Sequence, residues 1–429
     1  MVSYPMPASN LRVGVVSTRL GSTDGVSLEA EKWSEVLARL GHSCFYFAGM
    51  CDRDPNLSYV VPEAHFSHPD IVKTYEVAFH NRVRPRSLTT EIRDLAEHLK
   101  GHLYEFMKRF DLHLLLVENA LAIPLNIPLG LALTEFIIET GLPTIAHHHD
   151  LYWERRRFLV NCVWDYLDMC FPPRLPHVRH VVINSPAAGQ LSYRRGISAR
   201  LIPNVMDFDN PPAEPDGYAS TVRADLNIKP GEYFFLQPTR IVRRKGIEHA
   251  IELVRRLGLP ARLVISHASG DEGDAYEKHL RAFSDLLDIS TSFVSDIISD
   301  QRGTTEDGRK IYSLWDVYPH ADMVTYPSLL EGFGNAFLES VYFRKPIVVN
   351  DYTIYAIDIK PKGFRAIELE GFITDEAVDT VEQVLRTPAM AAEMAEHNYQ
   401  LAKRFYSFAF LEHQLQGLLQ SFIGEDIER

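Results

Sequence analysis

Glu331 and Glu339 stand either side of a glycine-bearing turn in the stretch YPSLLEGFGNAFLES, residues 326–340. Their spacing is a little over two helical turns, so on a helix they would face one side. A carboxylate is a bidentate acceptor for vicinal hydroxyls, and two of them could grip two different diols of one polar ligand. Gly332 and Gly334 would let that ligand approach the backbone closely. A helix starting in Gly332-Phe333-Gly334-Asn335 would aim its first N–H groups at it. The plain alternative is a helix-terminal charge and a solvated glutamate.

Three further stretches carry candidate chemistry. PTRIVRRKGIEHAI puts Arg240 at the end of an apolar run and Lys245 just before Gly246 and a helical pattern. Two cations beside a helix N-terminus suit a diphosphate and would stabilise it as a leaving group. AHHHDLYWERRRF places His147, His148, His149 and Asp150 at the end of another apolar run. On a strand, His147 and His149 share one face and His148 takes the other. Imidazoles are common metal ligands, but neighbours on an extended chain converge poorly on one ion, and no matching His/Cys cluster is visible elsewhere. One or two polar contacts to a sugar or an ionic group is the reading preferred over solvated or capping histidines. The third stretch, STRLGSTDGVSLEAEKW, has Gly21 and Gly25 in a loop before a helix, a candidate anion cradle that lacks the Gly-x-Gly-x-x-Gly spacing of dinucleotide folds.

Arg155 belongs to a local concentration of charge. Residues 151–200 hold eight Arg, no Lys and three acids, a balance of +5 against -18 for the remainder of a chain whose total is -13. Arginine forks suit carboxylate or phosphate; ion pairing with the acidic remainder is the competing reading.

The elements that must position these residues repeat. Short β-branched runs at 11–17, 42–49, 112–119, 143–150 and 180–185 alternate with helix-length segments, and the pattern restarts at 233–240, 261–268, 323–328 and 346–351. Strands alternating with helices imply parallel, doubly wound sheets. At 429 residues the chain is too long for one ordinary core. The expected division is an N-terminal Rossmann-like domain over 1–205, a C-terminal one over 206–400, and a terminal helix over 401–429 returning to the first. The Pro- and Asp-rich segment 202–217 is the linker. Ligands of open α/β sheets bind beyond the carboxyl ends of the strands, so a cleft between two such domains is the expected site.

The acidic total argues against a general nucleic-acid binder. Cys44, Cys51, Cys162 and Cys170 form no Cys-x-x-Cys pair and read as reduced thiols of a cytoplasmic protein. The N-terminal stretch lacks a secretory pattern, and no run approaches the ~20 apolar residues of a membrane span.

Taken together, these stretches resemble a retaining family-4 glycosyltransferase of the group 1 type, with the two-domain GT-B fold. The resemblance covers nearly the whole chain and implies that the domain over 1–205 binds the acceptor and the one over 206–400 the nucleotide-sugar donor. It rests first on Glu-x7-Glu (Glu331 to Glu339), then on Arg-x4-Lys-Gly (Arg240 to Gly246), then on IPNVMD (202–207) with Val205 where the family usually has Gly, and on INSP (183–186). The glycine loop is looser than the family's usual Gly-Gly pair. The resemblance implies that Arg240 and Lys245 hold a donor diphosphate and that Glu331 lies near the donor sugar. It further implies that Gly332, Phe333, Gly334 and Asn335 offer backbone N–H groups and that Glu339 binds ribose. The family's strand-end histidine falls on His149 or His148. No metal or other cofactor is implied beyond a GDP- or UDP-hexose as co-substrate. The implied reaction is hexose transfer with retention, by front-face substitution with the departing diphosphate as base. A soluble, anionic acceptor is expected. A mannosyltransferase from GDP-mannose to glucosylglycerate, a sucrose- or trehalose-type synthase and a polysaccharide-building enzyme all stay open. So do, from other classes, a pyridoxal-phosphate-dependent phosphorylase, a sugar-nucleotide epimerase and a non-enzymatic sugar binder. The oligomeric state is left open.

Overall fold

A computed structural model describes residues 10–21, 24–269 and 273–423. The chain forms two compact units, Met1–Val205 with Phe408–Arg429, and Met206–Ser407. In the first unit the order is β1 (Arg12–Val16), α1 (Gly25–Arg39), β2 (Ser43–Ala48), β3 (Ser58–Val60), α2 (Pro69–His80), α3 (Arg86–Phe110), β4 (Leu114–Glu118) and α4 (Ile127–Thr140). There follow β5 (Thr144–His148), α5 (Trp164–Cys170), β6 (Val178–Val182), α6 (Ser185–Arg195) and β7 (Ala199–Leu201). The second unit contains α7 (Val222–Asp225), β8 (Tyr233–Gln237), α8 (Ile247–Leu257), β9 (Ala261–Ile265), α9 (Ala275–Leu286) and β10 (Thr291–Phe293). It continues through the short strands β11 (Ile298–Ser299), β12 (Gly303–Thr304) and β13 (Lys310–Ser313) to α10 (Leu314–Val317) and β14 (Met323–Tyr326). It ends with α11 (Asn335–Tyr342), β15 (Ile347–Asn350), β16 (Ile367–Leu369), α12 (Asp375–Arg386) and α13 (Pro388–Phe405). The closing helix α14 (Phe408–Ile423) belongs to the first unit.

Both main sheets are parallel throughout, as the alternation of strands and helices predicts. The first runs β3-β2-β1-β4-β5-β6-β7 and the second β10-β9-β8-β14-β15-β16. Strand order reverses between β1 and β4 in one sheet and between β8 and β14 in the other. These are the switch points beside which open α/β sheets bind ligands. The residues that follow β4 and β14 are therefore the ones the topology singles out.

Local sequence explains the helices that frame these points. Asp24 caps α1 by accepting from the backbone N–H of Val26 and Ser27, and Gly41 closes the turn with φ +84°. Ala30, Trp33, Val36 and Leu37 recur at helical spacing on the buried side of α1. Against them pack Phe408, Leu411, Leu415, Leu418, Leu419 and Phe422 of α14, in one apolar cluster with β1 and β4. The chain returns to the first unit at Phe408, not at 401, because α13 continues unbroken through 401 to Phe405. Fully buried Glu29 of α1 accepts from the Val205 N–H, and Lys32 donates to both Glu29 and the Val205 carbonyl, at the residue where the first unit ends. Val205 itself is buried in the α1–α14 cluster, so the valine found where the family resemblance leads one to expect glycine is a packed side chain. Among the described residues, no helix is long and apolar enough to cross a membrane. The four cysteines are free thiols.

Two predictions follow from this packing. Leu415 is fully buried, and Leu415→Ala should cost about 2–5 kcal/mol through lost burial and a residual cavity; urea unfolding read by tryptophan fluorescence and far-UV circular dichroism measures it. The second concerns His148 of β5, which is buried with its Nε2 2.9 Å from Nδ1 of His180 on the neighbouring β6. Burial, with the other imidazoles adding to it, holds His148 well below the ordinary 6.5, and burial holds His180 at about 4. The unfolded chain therefore binds more protons below pH 6.5. Stability should be full above that pH and fall as pH drops from 6.5 towards 4, by up to about 1.4 kcal/mol per pH unit for each histidine. Urea midpoints at pH 7.5 and 5.0 check this, and His180→Asn should flatten the slope.

Candidate active site

In the second unit the switch point is built around Glu331. Its carboxylate accepts from Lys245 Nζ and, at 2.9 Å, from Arg244 Nη1. Arg244 also donates to the Leu330 carbonyl at 3.0 Å, and its own carbonyl accepts from Leu329 N–H at 2.8 Å. The cationic turn after β8 and the loop after β14 are thus stitched together. Gly246 makes this approach possible. Its φ is +58°, and a Cβ there would lie 2.5 Å from the Pro327 carbonyl oxygen. Burial pulls the Lys245 ammonium below its ordinary range, and the neighbouring charges of Arg244 and Arg240 pull the same way against Glu331. Burial pushes Glu331 upward, but Lys245 and Arg244 outweigh it and hold the carboxyl below its usual value. The result is a desolvated cation beside two arginines, with one carboxylate to balance them, which is a setting that welcomes a polyanion.

Arg240 extends from the end of this strand region with an exposed side chain. His267, just beyond β9, went unremarked in the sequence. Its imidazole bonds Ser266 Oγ at 2.7 Å. Burial lowers its pKa, and the charges of Arg240 and Lys245 pull the same way against Asp300.

The two glutamates do not share a helix face. Helix α11 begins at Asn335, so Glu331 lies in the preceding loop and only Glu339 is helical. Two glycines and a buried aromatic stop the helix from starting earlier. Gly334, with φ +129°, would bring a Cβ within 2.3 Å of the Tyr352 hydroxyl. Phe333 is buried edge-on against Tyr406, and its carbonyl accepts from the Tyr352 O–H at 2.7 Å. Gly334 is therefore demanded by protein packing, where close approach of a ligand had been expected; Gly332 is the exposed glycine of the pair. Glu339 Oε2 accepts from the buried Tyr318 O–H at 2.8 Å.

In the first unit the carboxyl ends of β4 and β5 form a second cluster. Glu118, the last residue of the otherwise apolar strand LLLVE, is fully buried. Its Oε2 lies 3.0 Å from both His147 Nδ1 and His149 Nε2. The two imidazoles share a face as strand alternation predicts, their rings 4.5 Å apart, and His147 stacks on Trp33 at 4.3 Å. The donor that joins the two histidines is a carboxylate, Glu118, a residue type outside the His/Cys pattern read from the sequence. Its ligand atom and those of His147 and His149 lie within 4.8 Å of one another, a donor set of a kind that can hold a metal ion. The strands are hydrogen-bonded neighbours in parallel register, which brings together residues far apart in the chain. A lone carboxylate closing an apolar strand was the signal available in the sequence. Burial pushes Glu118 upward, but the charge of His147 and the hydrogen bonds of both histidines outweigh it and hold the carboxyl at about 2. Burial pulls His149 down, yet Glu118, with Glu29 and Asp150 adding to it, raises its pKa above the ordinary value. His148 takes the opposite face with His180 and does not join this cluster.

Asn119, in the left-handed region at φ 59°, laces the strand ends. Its side chain accepts from His149 N–H at 3.1 Å and donates to Asp150 at 3.2 Å. Arg155 pairs with Asp150. Arg195 likewise pairs with Asp168, so part of the positive charge of 151–200 is neutralised within that window. At the glycine loop, Gly21 N–H donates to Ser27 Oγ at 3.2 Å, and Gly25 opens α1; Ser22 and Thr23 lie outside the described residues. The N–H groups of Val26 and Ser27, expected to be open to an anion, are held by Asp24, which also pairs with Arg19.

No protein-family profile matches the chain. Solved structures share the fold, among them a glycosyltransferase from Rickettsia africae with a TM-score of 0.67 at 12% identity, covering 96% of this chain and 98% of that one. A mannosylglucosylglycerate synthase from Petrotoga mobilis is 33% identical over 84% of this chain and 86% of its own length. One from Thermotoga maritima is 32% identical over 94% of this chain and 98% of its own length. The chain is thus a hexosyltransferase of the GT-B type and belongs to the mannosylglucosylglycerate synthase family.

Proposed function

We propose that this enzyme transfers mannose from GDP-mannose to glucosylglycerate, with retention at the anomeric carbon, as a family-4 glycosyltransferase. The observation that carries the donor side is the Lys245–Glu331–Arg244 cluster at the switch point of the second sheet. Lys245 and Arg240 take the donor diphosphate, and the charge that develops on it as the glycosidic bond breaks is stabilised where the lysine is already desolvated. Glu331 holds Lys245 and lies at the sugar end, with Gly332 to Asn335 beside the donor. Glu339, steadied by Tyr318, takes the ribose hydroxyls; these two residues are the Glu-x7-Glu pair. His149 meets a hydroxyl of the transferred sugar. The departing diphosphate accepts the acceptor's proton on the same face, so the mechanism calls on no carboxylate nucleophile and no metal. That relatives matched over 98% and 86% of their own length are mannosylglucosylglycerate synthases supports the choice of mannose and of a glycerate glycoside. The carboxylate of such an acceptor suits the Arg-rich window 151–200.

Incubation with GDP-mannose, UDP-glucose or ADP-glucose, each with and without glucosylglycerate, tests the reading. Product should form from GDP-mannose with acceptor present, and proton NMR should show the donor's α configuration retained. Turnover of donor without acceptor would mark an epimerase and sink the proposal. Lys245→Ala should lower kcat/KM by about 100-fold or more, and Arg240→Ala should lower it in the same direction. Unchanged kinetics in both variants would remove the diphosphate site from this cluster.

A further inference from the structure

The proposed reaction has no direct use for Glu118, although among the described residues of the first unit no carboxylate is more thoroughly withdrawn from water. We propose that Glu118 is the positioning residue of His149, fixing its proton on Nε2 and turning Nδ1 to the transferred sugar. The inference rests on the reading of His149 given above. Glu118 accepts from both imidazoles, from His149 Nε2 on Oε2 at 3.0 Å and from His147 Nδ1 on Oε1 at 3.2 Å, separations at which hydrogen bonds to a carboxylate form. A carboxylate accepts only, so each of those ring nitrogens carries the proton. That choice of tautomer leaves His149 Nδ1 as the nitrogen not engaged by Glu118. A buried carboxylate behind a histidine fixes ring orientation and tautomer in this way in hydrolytic triads and at metal centres alike.

The surroundings reinforce the arrangement. His147 cannot swing away, because it is sandwiched between Trp33 at 4.3 Å and the His149 ring at 4.5 Å. Asn119 accepts from the His149 backbone N–H. The Glu118 carbonyl accepts from Ser17 Oγ at 3.1 Å, tying the end of β4 to the end of β1. Every link in this chain holds the ring still, and none of them consumes Nδ1. The same three side chains could instead enclose a divalent cation such as zinc. That alternative would require Nδ1 of His147 and Nε2 of His149 to give up the protons that their hydrogen bonds to the Glu118 carboxylate call for, and the hydrogen-bonded reading needs no such change.

The test uses the full-length enzyme with GDP-mannose and glucosylglycerate. Glu118→Gln should lower kcat about 10- to 100-fold while the donor KM stays within about threefold. In a double-mutant cycle, Glu118→Gln added to His149→Ala should cost little more than His149→Ala alone, since a positioning residue has nothing left to position. In 15N-histidine-labelled enzyme, the His149 signals should report the Nε2–H form, and Glu118→Gln should shift them. Additive losses in the cycle, or wild-type kcat in Glu118→Gln where His149→Ala is impaired, would overturn this inference alone. Wild-type kcat in His149→Ala would instead overturn the reading of His149 on which it rests. Stoichiometric zinc in the purified protein, lost in Glu118→Gln, would make the cluster a metal centre and also defeat the proposal.

Discussion

A carboxylate withdrawn from water must be matched by positive or hydrogen-donating partners, and in this enzyme that requirement organises the ends of the strands. Glu331 draws Lys245 and Arg244 to itself, and through them fastens the turn after β8 to the loop after β14. Breaking one member of such a set leaves the other buried and unpaired, which costs far more than the set contributes when whole. The loop that carries Glu331 and leads into α11 is therefore held by electrostatics on one side and by Phe333 and Tyr352 on the other.

The first unit meets the same requirement with different chemistry. Glu118 is matched by two imidazoles, so its partners can donate hydrogen bonds without a permanent charge. Glu29 is matched by Lys32 and by a backbone N–H at Val205, the last residue before the chain passes into the second unit. The buried acid of α1 thereby fixes where that passage begins. A conformational constraint and a candidate catalytic one are thus built from the same physical element, a desolvated carboxylate, and differ only in what surrounds it.

The parallel, doubly wound architecture was legible because its strands are buried on both faces and read as continuous apolar runs. The strands of two and three residues, β3, β7, β10 to β12 and β16, are too short to impose a period and left no such mark. The candidate site was legible where its residues sit in short local stretches: Arg240, Lys245, Glu331 and the histidines can all be picked from local context. What local context cannot supply is pairing across the sheet. Glu118 becomes meaningful only because β4 and β5 are neighbours in register, and Arg244 only because Gly246 lets its turn reach Pro327. The helix-face argument for Glu331 and Glu339 failed for a related reason. Spacing alone assumed a helix through Gly334, whose conformation and contact with Tyr352 start the helix after it.

That failure sharpens what the spacing of the two glutamates encodes. With Glu331 in a loop and Glu339 one turn into α11, the two carboxylates need not point alike, and they answer to different partners: two cations in one case, a tyrosine hydroxyl in the other. Carboxylates so differently charged-balanced are suited to different work. One that is already ion-paired is a poor competitor for further cations and a good organiser of the lysine beside it. One that accepts from a neutral tyrosine hydroxyl has the chemistry of the ribose contact proposed for Glu339, since a carboxylate can accept from vicinal hydroxyls. A fold shared with many glycosyltransferases leaves the choice of sugar to such local differences. The division of labour within this pair, rather than the pair's presence, is what a change of donor would have to alter.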